Sequence, residues 1–248
     1  MEPSLQGKTA LVTGAARRLG AAIARRLHAA GANLVLHYRG AEADAAGLEA
    51  ELNHARAGSA VKLKGDLLAP IAPQALVSAA LDRYKRLDIL VNNASSFYPT
   101  AVGEIETAHW EELAGSNLRS PLFLAQAAAP HLAKVQGAIV NITDIHAERP
   151  LKGYVVYSIA KAGLAALTRS LALELAPSVR VNAVAPGTIA WPEDGQFDPV
   201  EREHIIATTP LRRIGSPEDI AQAVLYLCTA SFVTGQVLAV DGGRSVFS

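Results

Sequence analysis

The sequence predicts a single α/β domain: a Rossmann-like, doubly wound parallel sheet of about seven strands with helices on both faces. Three observations predict it. Short apolar runs alternate with longer helical patterns along the whole chain. Two glycines, Gly14 and Gly20, fall between the first strand and the first helix. Hydrophobic residues make up 50% of the 248, enough to bury a sheet on both sides.

Taken in order, Lys8 to Thr13 is the first strand, and the helical pattern from Ala21 to Ala30 follows the glycine turn. Gly31 closes that helix and Asn33 to His37 begins the second strand. This is a βαβ unit with its glycines where a dinucleotide pyrophosphate meets a helix N-terminus. Val61 to Lys64 is the third strand, Gln74 to Tyr84 a helix and Leu87 to Asn92 the fourth strand. Trp110 to Ala133 reads as helix, with a kink at Pro121 and an end at Pro130. Ala138 to Thr143 is a strand, the helix that carries Tyr157 runs to about Leu175, and Val179 to Val184 and Val237 to Val240 complete the sheet. No linker or break in composition divides residues 1–248.

Composition excludes several classes. Twenty-three basic and twenty-three acidic residues balance, which offers nucleic acid or an anionic membrane no general field. The single Cys228 rules out an internal disulfide or a cysteine metal cluster. No run reaches transmembrane length and the N-terminus has no signal-peptide core, so a soluble cytoplasmic protein is expected.

Ligands of such a sheet bind at the carboxyl ends of its strands. Gly14, His37, Asp66, Asn93, Asp144 and Pro186 all follow strands, so they meet on one edge. Tyr157 and Lys161 stand one helical turn apart and leave the same face. The ammonium is expected to favour the phenolate and bring Tyr157 into a range where it exchanges protons.

These residues carry a resemblance to a known family. Thr13-Gly14…Gly20, Asp66, Asn92-Asn93-Ala94, Asn117, Tyr157…Lys161, Pro186-Gly187 and Asp241-Gly242-Gly243 together resemble the short-chain dehydrogenase/reductases over nearly the full length. Two departures, Arg18 in place of a glycine and Asp144 in place of a serine, resemble the pteridine reductase branch. So does Ser95-Ser96-Phe97-Tyr98-Pro99, and the related dihydromonapterin reductases share the aspartate.

The resemblance implies an enzyme that reduces pterins, and dihydrofolate as a further candidate, with a nicotinamide cofactor. It places Gly14, Leu19, Gly20, Leu67, Asn93, Ala94 and Ser95 around that cofactor. Asp66 would meet the adenine, Pro186-Gly187-Thr188 the carboxamide and Lys161 the nicotinamide ribose. Charge selects the cofactor. Where NAD-preferring folds end the second strand with an acid, this chain has His37-Tyr38-Arg39, with Arg17 and Arg18 close by and no carboxylate before Glu42. That set suits a 2′-phosphate, hence NADPH.

In the implied mechanism Tyr157, held by Lys161 and paired with Asp144, protonates a ring nitrogen, and Asn117 positions a water for the relay. Phe97 would stack on the pterin; Arg18, Ser95 and Tyr154 would line its pocket. His146 reads as a loop or surface histidine. Residues 188–210 read as a substrate-covering flap, in which Trp191 either closes on substrate or anchors the segment. The family also implies a homotetramer. The alternatives are a carbonyl reductase acting on a 3-oxoacyl thioester or sugar ketone and, in a different class, a non-catalytic NADPH-binding protein. No metal is expected.

Overall fold

The computed structural model describes residues 4–191 and 198–246. Seven strands, β1 Thr9–Val12, β2 Asn33–Tyr38, β3 Ala60–Lys64, β4 Ile89–Asn92, β5 Ala138–Ile142, β6 Arg180–Pro186 and β7 Val237–Val240, form one sheet in the order β3-β2-β1-β4-β5-β6-β7. Every pairing is parallel. The helices are α1 Arg18–Ala29, α2 Glu42–Ala55, α3 Ala72–Tyr84, α4 Thr107–Ala114, α5 Ser120–Ala133, α6 Val155–Leu175, α7 Pro199–Thr208 and α8 Pro217–Thr229.

The two faces of the sheet make two cores, as parallel strands without polar alternation require. On one side Val12, Leu34, Leu36 and Val91 pack with Ile23 and Leu27 of α1 and Ile220, Val224 and Leu227 of α8. On the other, Leu11, Val35, Leu90 and Ile139 pack with Leu76 of α3, Leu124 and Leu132 of α5 and Ala172 of α6. β1 lies between β2 and β4, so the chain reverses its winding there and a crevice opens above the β1/β4 boundary.

The helices α2 and α8 were not expected from the apolar pattern. The start of α8 is nevertheless written in the sequence. Ser216 accepts from the Asp219 amide at 3.2 Å while the Asp219 carboxylate accepts from the Ser216 amide at 2.8 Å, and Pro217 opens the helix.

The long helix expected from Trp110 to Ala133 starts at Thr107 and is split by a π-turn over Gly115–Arg119, where the Ser120 amide bonds the Gly115 carbonyl. The widened turn precedes Pro121, whose missing N–H makes a regular continuation costly. Pro130 does not end the helix, which runs on to Ala133. Its lost hydrogen bond falls in the last turn, where little helix remains to be disrupted. Among the described residues no helix is long and apolar enough to cross a membrane.

Candidate active site

The crevice encloses about 800 Å³ and is lined by loops that leave β1 to β6. Its floor is fixed by backbone packing. Gly14 has φ +61° and a Cβ there would lie 3.0 Å from the Ala94 Cα; a Cβ on Gly20 would come within 2.1 Å of the Gly14 carbonyl. Only glycine lets the β1 and β4 loops close on each other. Thr13 Oγ1 accepts from the amides of Asn93 and Ala94 at 2.9 and 3.0 Å, and Asn93 Nδ2 donates to the carbonyls of Thr13 and Gly14 at 2.8 and 3.1 Å.

α1 opens into this floor with no side-chain cap and no acidic residue in its first turn. A helix start of this kind, with its positive dipole end and no carboxylate, favours an anion. The residue at the usual glycine position, Arg18, is in the left-handed region at φ +47°. The turn still demands a glycine-like conformation there, which an arginine adopts at a cost. Its guanidinium crosses the crevice to donate to the Ala190 carbonyl at 3.3 Å.

At the end formed by β2 and β3, Arg17, Arg39, Asp66 and Leu67 line the crevice as expected. Arg17 is paired with Asp44 at 2.6 Å. Asp66 Oδ1 accepts from the Leu68 amide at 3.0 Å, which holds the turn after β3. Two residues of the expected phosphate set behave differently. His37 is buried, accepts from the Gly14 amide on Nδ1 at 3.2 Å and lies 3.1 Å from the Gly65 carbonyl through Nε2. Burial lowers its pKa, so it is a neutral brace between two loops and not a cation for a phosphate. Tyr38 is buried outside the crevice, and its hydroxyl donates to Glu42, which is also the ion-pair partner of Lys62.

At the other end Asp144, Tyr157 and Lys161 come together. Tyr157 Oη donates to Asp144 Oδ2 at 2.7 Å, while Asp144 Oδ1 accepts from the His146 amide at 2.8 Å and caps the single 3₁₀ turn Ile145–Ala147. The capping role and the pairing with Tyr157 are therefore filled by different oxygens of one carboxylate. Lys161 is fully buried, donates to the Ile142 carbonyl at 2.9 Å and holds its Nζ 5.6 Å from the Tyr157 ring centre.

This corrects the expected effect of Lys161 on the phenol. The pKa of Tyr157 is raised well above its ordinary 10, first by burial, then by the charge and hydrogen bond of Asp144. The carboxylate touches the hydroxyl and the ammonium does not, so the ligand-free site keeps the phenol protonated.

Burial pushes Lys161 down to about 8 from 10.5, with the Asp144 charge opposing. The unfolded chain then binds more protons than the native one between about pH 8 and 10.5, so this residue makes stability rise with pH across that window. Denaturant midpoints of the ligand-free protein at pH 8 and 10 should show a larger rise than those of Lys161→Met. Equal slopes in the two proteins would refute the assignment.

Phe97 lines the crevice and stacks on Tyr154 at 4.6 Å with its edge toward Tyr157 at 4.8 Å. Tyr154 supports Phe97 from behind and does not itself line the crevice. Asn117, placed by the π-turn, is buried outside the crevice. It donates to the carbonyls of Ser96 and Leu113 at 2.9 Å each and accepts from Ser95 Oγ at 2.6 Å, so Ser95 links it to the crevice wall. Pro186, Gly187 and Thr188 line the wall beyond β6.

Of the flap, residues 192–197 lie outside the described residues. Trp191 is half-buried with the Arg202 guanidinium 5.2 Å over its ring, an anchor from the start of the flap to α7. Several crevice residues had no assigned role in the sequence reading, among them Leu68, Ser116, Thr143, Leu151 and Arg244. His146 lies in the β5–α6 loop, as expected, and its position next to the Asp144 cap carries it to the rim. Arg244 follows the Asp241-Gly242-Gly243 turn, which brings it to the sheet edge.

The chain is similar over nearly its whole length to several known proteins. The family model described as enoyl-(acyl carrier protein) reductase matches residues 14–245. Pteridine reductase 1 of Leishmania tarentolae is 38% identical over 99% of this chain and 99% of its own. A Streptomyces violaceoruber protein named for the second ketoacyl reductase of granaticin polyketide synthase is 38% identical over 96% of each chain. Glucose 1-dehydrogenase 2 of Bacillus subtilis is 34% identical over 100% of this chain and 98% of its own.

Proposed function

The chain belongs to the short-chain dehydrogenase/reductase family of nicotinamide-dependent oxidoreductases, and from that premise we propose that it reduces pterins with NADPH. The observation that carries the reading is the 2.7 Å bond between Tyr157 and Asp144, a carboxylate where most of the family has a serine, beside the ring of Phe97. A serine hydroxyl suits a ketone oxygen. A carboxylate accepts from the amino and ring N–H groups of an aminopyrimidine, and an adjacent aromatic face suits a flat heterocycle.

The glycine floor and the uncapped N-terminus of α1 fit a dinucleotide pyrophosphate. Gly14, Leu19, Gly20, Asn93, Ala94 and Lys161 would hold the cofactor, with Pro186 to Thr188 at its nicotinamide end. Bound NADPH supplies a hydride for the carbon of a pterin C=N bond. Tyr157 Oη delivers the proton to the neighbouring nitrogen, Asp144 Oδ2 shares that proton and steadies the hydroxyl, and Lys161 holds positive charge below the pair. Asn117 fixes Ser95 at the wall and is proposed to order a water for reprotonation.

The test is turnover of biopterin, dihydrobiopterin, dihydromonapterin and dihydrofolate with NADPH, followed by loss of nicotinamide absorbance. No turnover of any of the four removes the pterin reading. A carbonyl reductase remains the alternative because of the ketoacyl reductase and glucose dehydrogenase named among its relatives, and a 3-oxoacyl and sugar panel tests it.

The NADPH preference is supported by Arg39 and Arg17 at the crevice rim and by the fate of Glu42, the first acid after β2 in the sequence. Glu42 is tied back by Tyr38 and Lys62, which withholds it from the ribose hydroxyls an NADH-type site would serve. Releasing it with Lys62→Met should lower the ratio of kcat/KM for NADPH over NADH by about tenfold, the worth of one charged hydrogen bond. Adding Glu42→Gln should restore the ratio. A ratio unmoved by the first change would mean that Glu42 has no part in the choice.

A homotetramer in the cytoplasm is part of the same proposal. Exposed apolar side chains on α5 (Leu122, Phe123) and α6 (Ile159, Leu173) support the oligomer.

A further inference from the structure

Three arginines of the crevice, Arg18, Arg39 and Arg244, have no carboxylate at ion-pair distance among the described residues. Two of them have an explanation. Arg18 opens α1 and Arg39 follows β2, where a dinucleotide would bring its phosphates. Arg244 follows β7, at the edge of the sheet opposite β3, and so stands at the far end from the cofactor's adenosine.

The bland account of Arg244 is that it caps α7. Its Nη1 does donate to the Ile205 carbonyl and to Thr208 Oγ1, each at 3.1 Å. That carbonyl is already served, however. It accepts from the Thr209 amide at 3.1 Å and from Thr209 Oγ1 at 2.7 Å, and a carbonyl oxygen has two lone pairs. The guanidinium adds to a helix end that is already satisfied without it. The nearest acid in sequence, Asp241, is also committed elsewhere, to the amides of Gly243 at 2.9 Å and Ser245 at 2.6 Å. These bonds fix the turn from which Arg244 leaves the backbone. What results is a pre-positioned, half-buried guanidinium in the crevice wall whose Nε and Nη2 hydrogens have no protein acceptor among the described residues.

We infer that Arg244 is the subsite for an anionic group, a carboxylate or a phosphate, at the end of the side chain carried by the ring that is reduced. The inference rests on the pterin reading and narrows it to pterins with a charged tail. Two planar N–H donors in a fork match either anion, and such bonds are the strong ones in a partly dry site.

The experiment compares the wild type with Arg244→Met on dihydrobiopterin, which has no anionic group, on dihydrofolate, and on a dihydropterin phosphorylated on its side chain. The expected result is that the kcat/KM ratio of an anionic substrate over dihydrobiopterin falls at least about tenfold, mainly through KM. Whether the folate or the phosphate arm falls identifies the anion. Equal losses on all three substrates would leave only the capping of α7 and overturn the inference, as would ratios that do not move.

Should the variant not fold, the wild type still decides. Glutarate or inorganic phosphate should raise KM for the anionic substrate and not for dihydrobiopterin; inhibition of neither, or of both alike, rejects the subsite. Wild type inert on every dihydropterin would instead sink the pterin reading beneath it.

Discussion

Tyr157→Phe is expected to lower pterin turnover by about 10³-fold, within the span that a positioned proton donor contributes. The substitution removes only the hydroxyl, so the ring keeps its place against Phe97 and Val156 in the small cluster around Leu113. The loss should fall on kcat, because the proton is needed as the ring nitrogen gains charge and not while substrate docks. Fluorescence titration with NADPH measures the cofactor separately. A variant that keeps more than about a tenth of wild-type kcat would show that the proton comes from elsewhere.

Asp144→Ser tests the residue that sets this chain apart from most of its family. The change should cut kcat/KM for dihydropterins by about 10²-fold, while NADPH binding shifts far less. One oxygen is lost from the Tyr157 pair, and the serine hydroxyl is the group found at this position in enzymes that reduce ketones. The raised pKa of Tyr157 owes its second and third causes to Asp144, so the variant should also bring the phenol's titration down. Ultraviolet titration of the tyrosinate, with Tyr157→Phe to identify the signal, checks it. Unchanged pterin turnover would discard the role given to Asp144 even if the phenol shifts.

The sequence carried most of the architecture. Seven strands and their order of appearance follow from apolar runs punctuated by glycine. The glycines after β1 announce the crevice because no other residue lets Gly14 and Gly20 pack against the β4 loop. What it carried poorly were features that depend on neighbours. The helix α2 buries only Ala45, Leu48 and Leu52, which have helical spacing but are masked by the other alanines along the segment. The break at Pro121 was legible, but its form, a π-turn over Gly115–Arg119, was not, because it is set where α4 and α5 pack beside α6.

The candidate site divides in the same way. Asp144, Tyr157 and Lys161 are legible because a strand end and a helical turn bring them to one place by geometry that the chain itself fixes. The state of those groups is not legible. Whether Lys161 or Asp144 governs the phenol is a matter of ångströms between elements, and the fold puts the carboxylate at 2.7 Å and the ammonium against a backbone carbonyl. His37 is a cation or a neutral brace according to whether two loops close over it, and here they do.

By itself, then, the sequence determined the sheet and the edge at which the candidate site lies, since these depend on periodicity and on chain order. Only the tertiary structure decided which of the candidate groups touch, which are buried and which carry charge. Burial and contact distance set protonation, and both arise between segments that lie far apart in the chain.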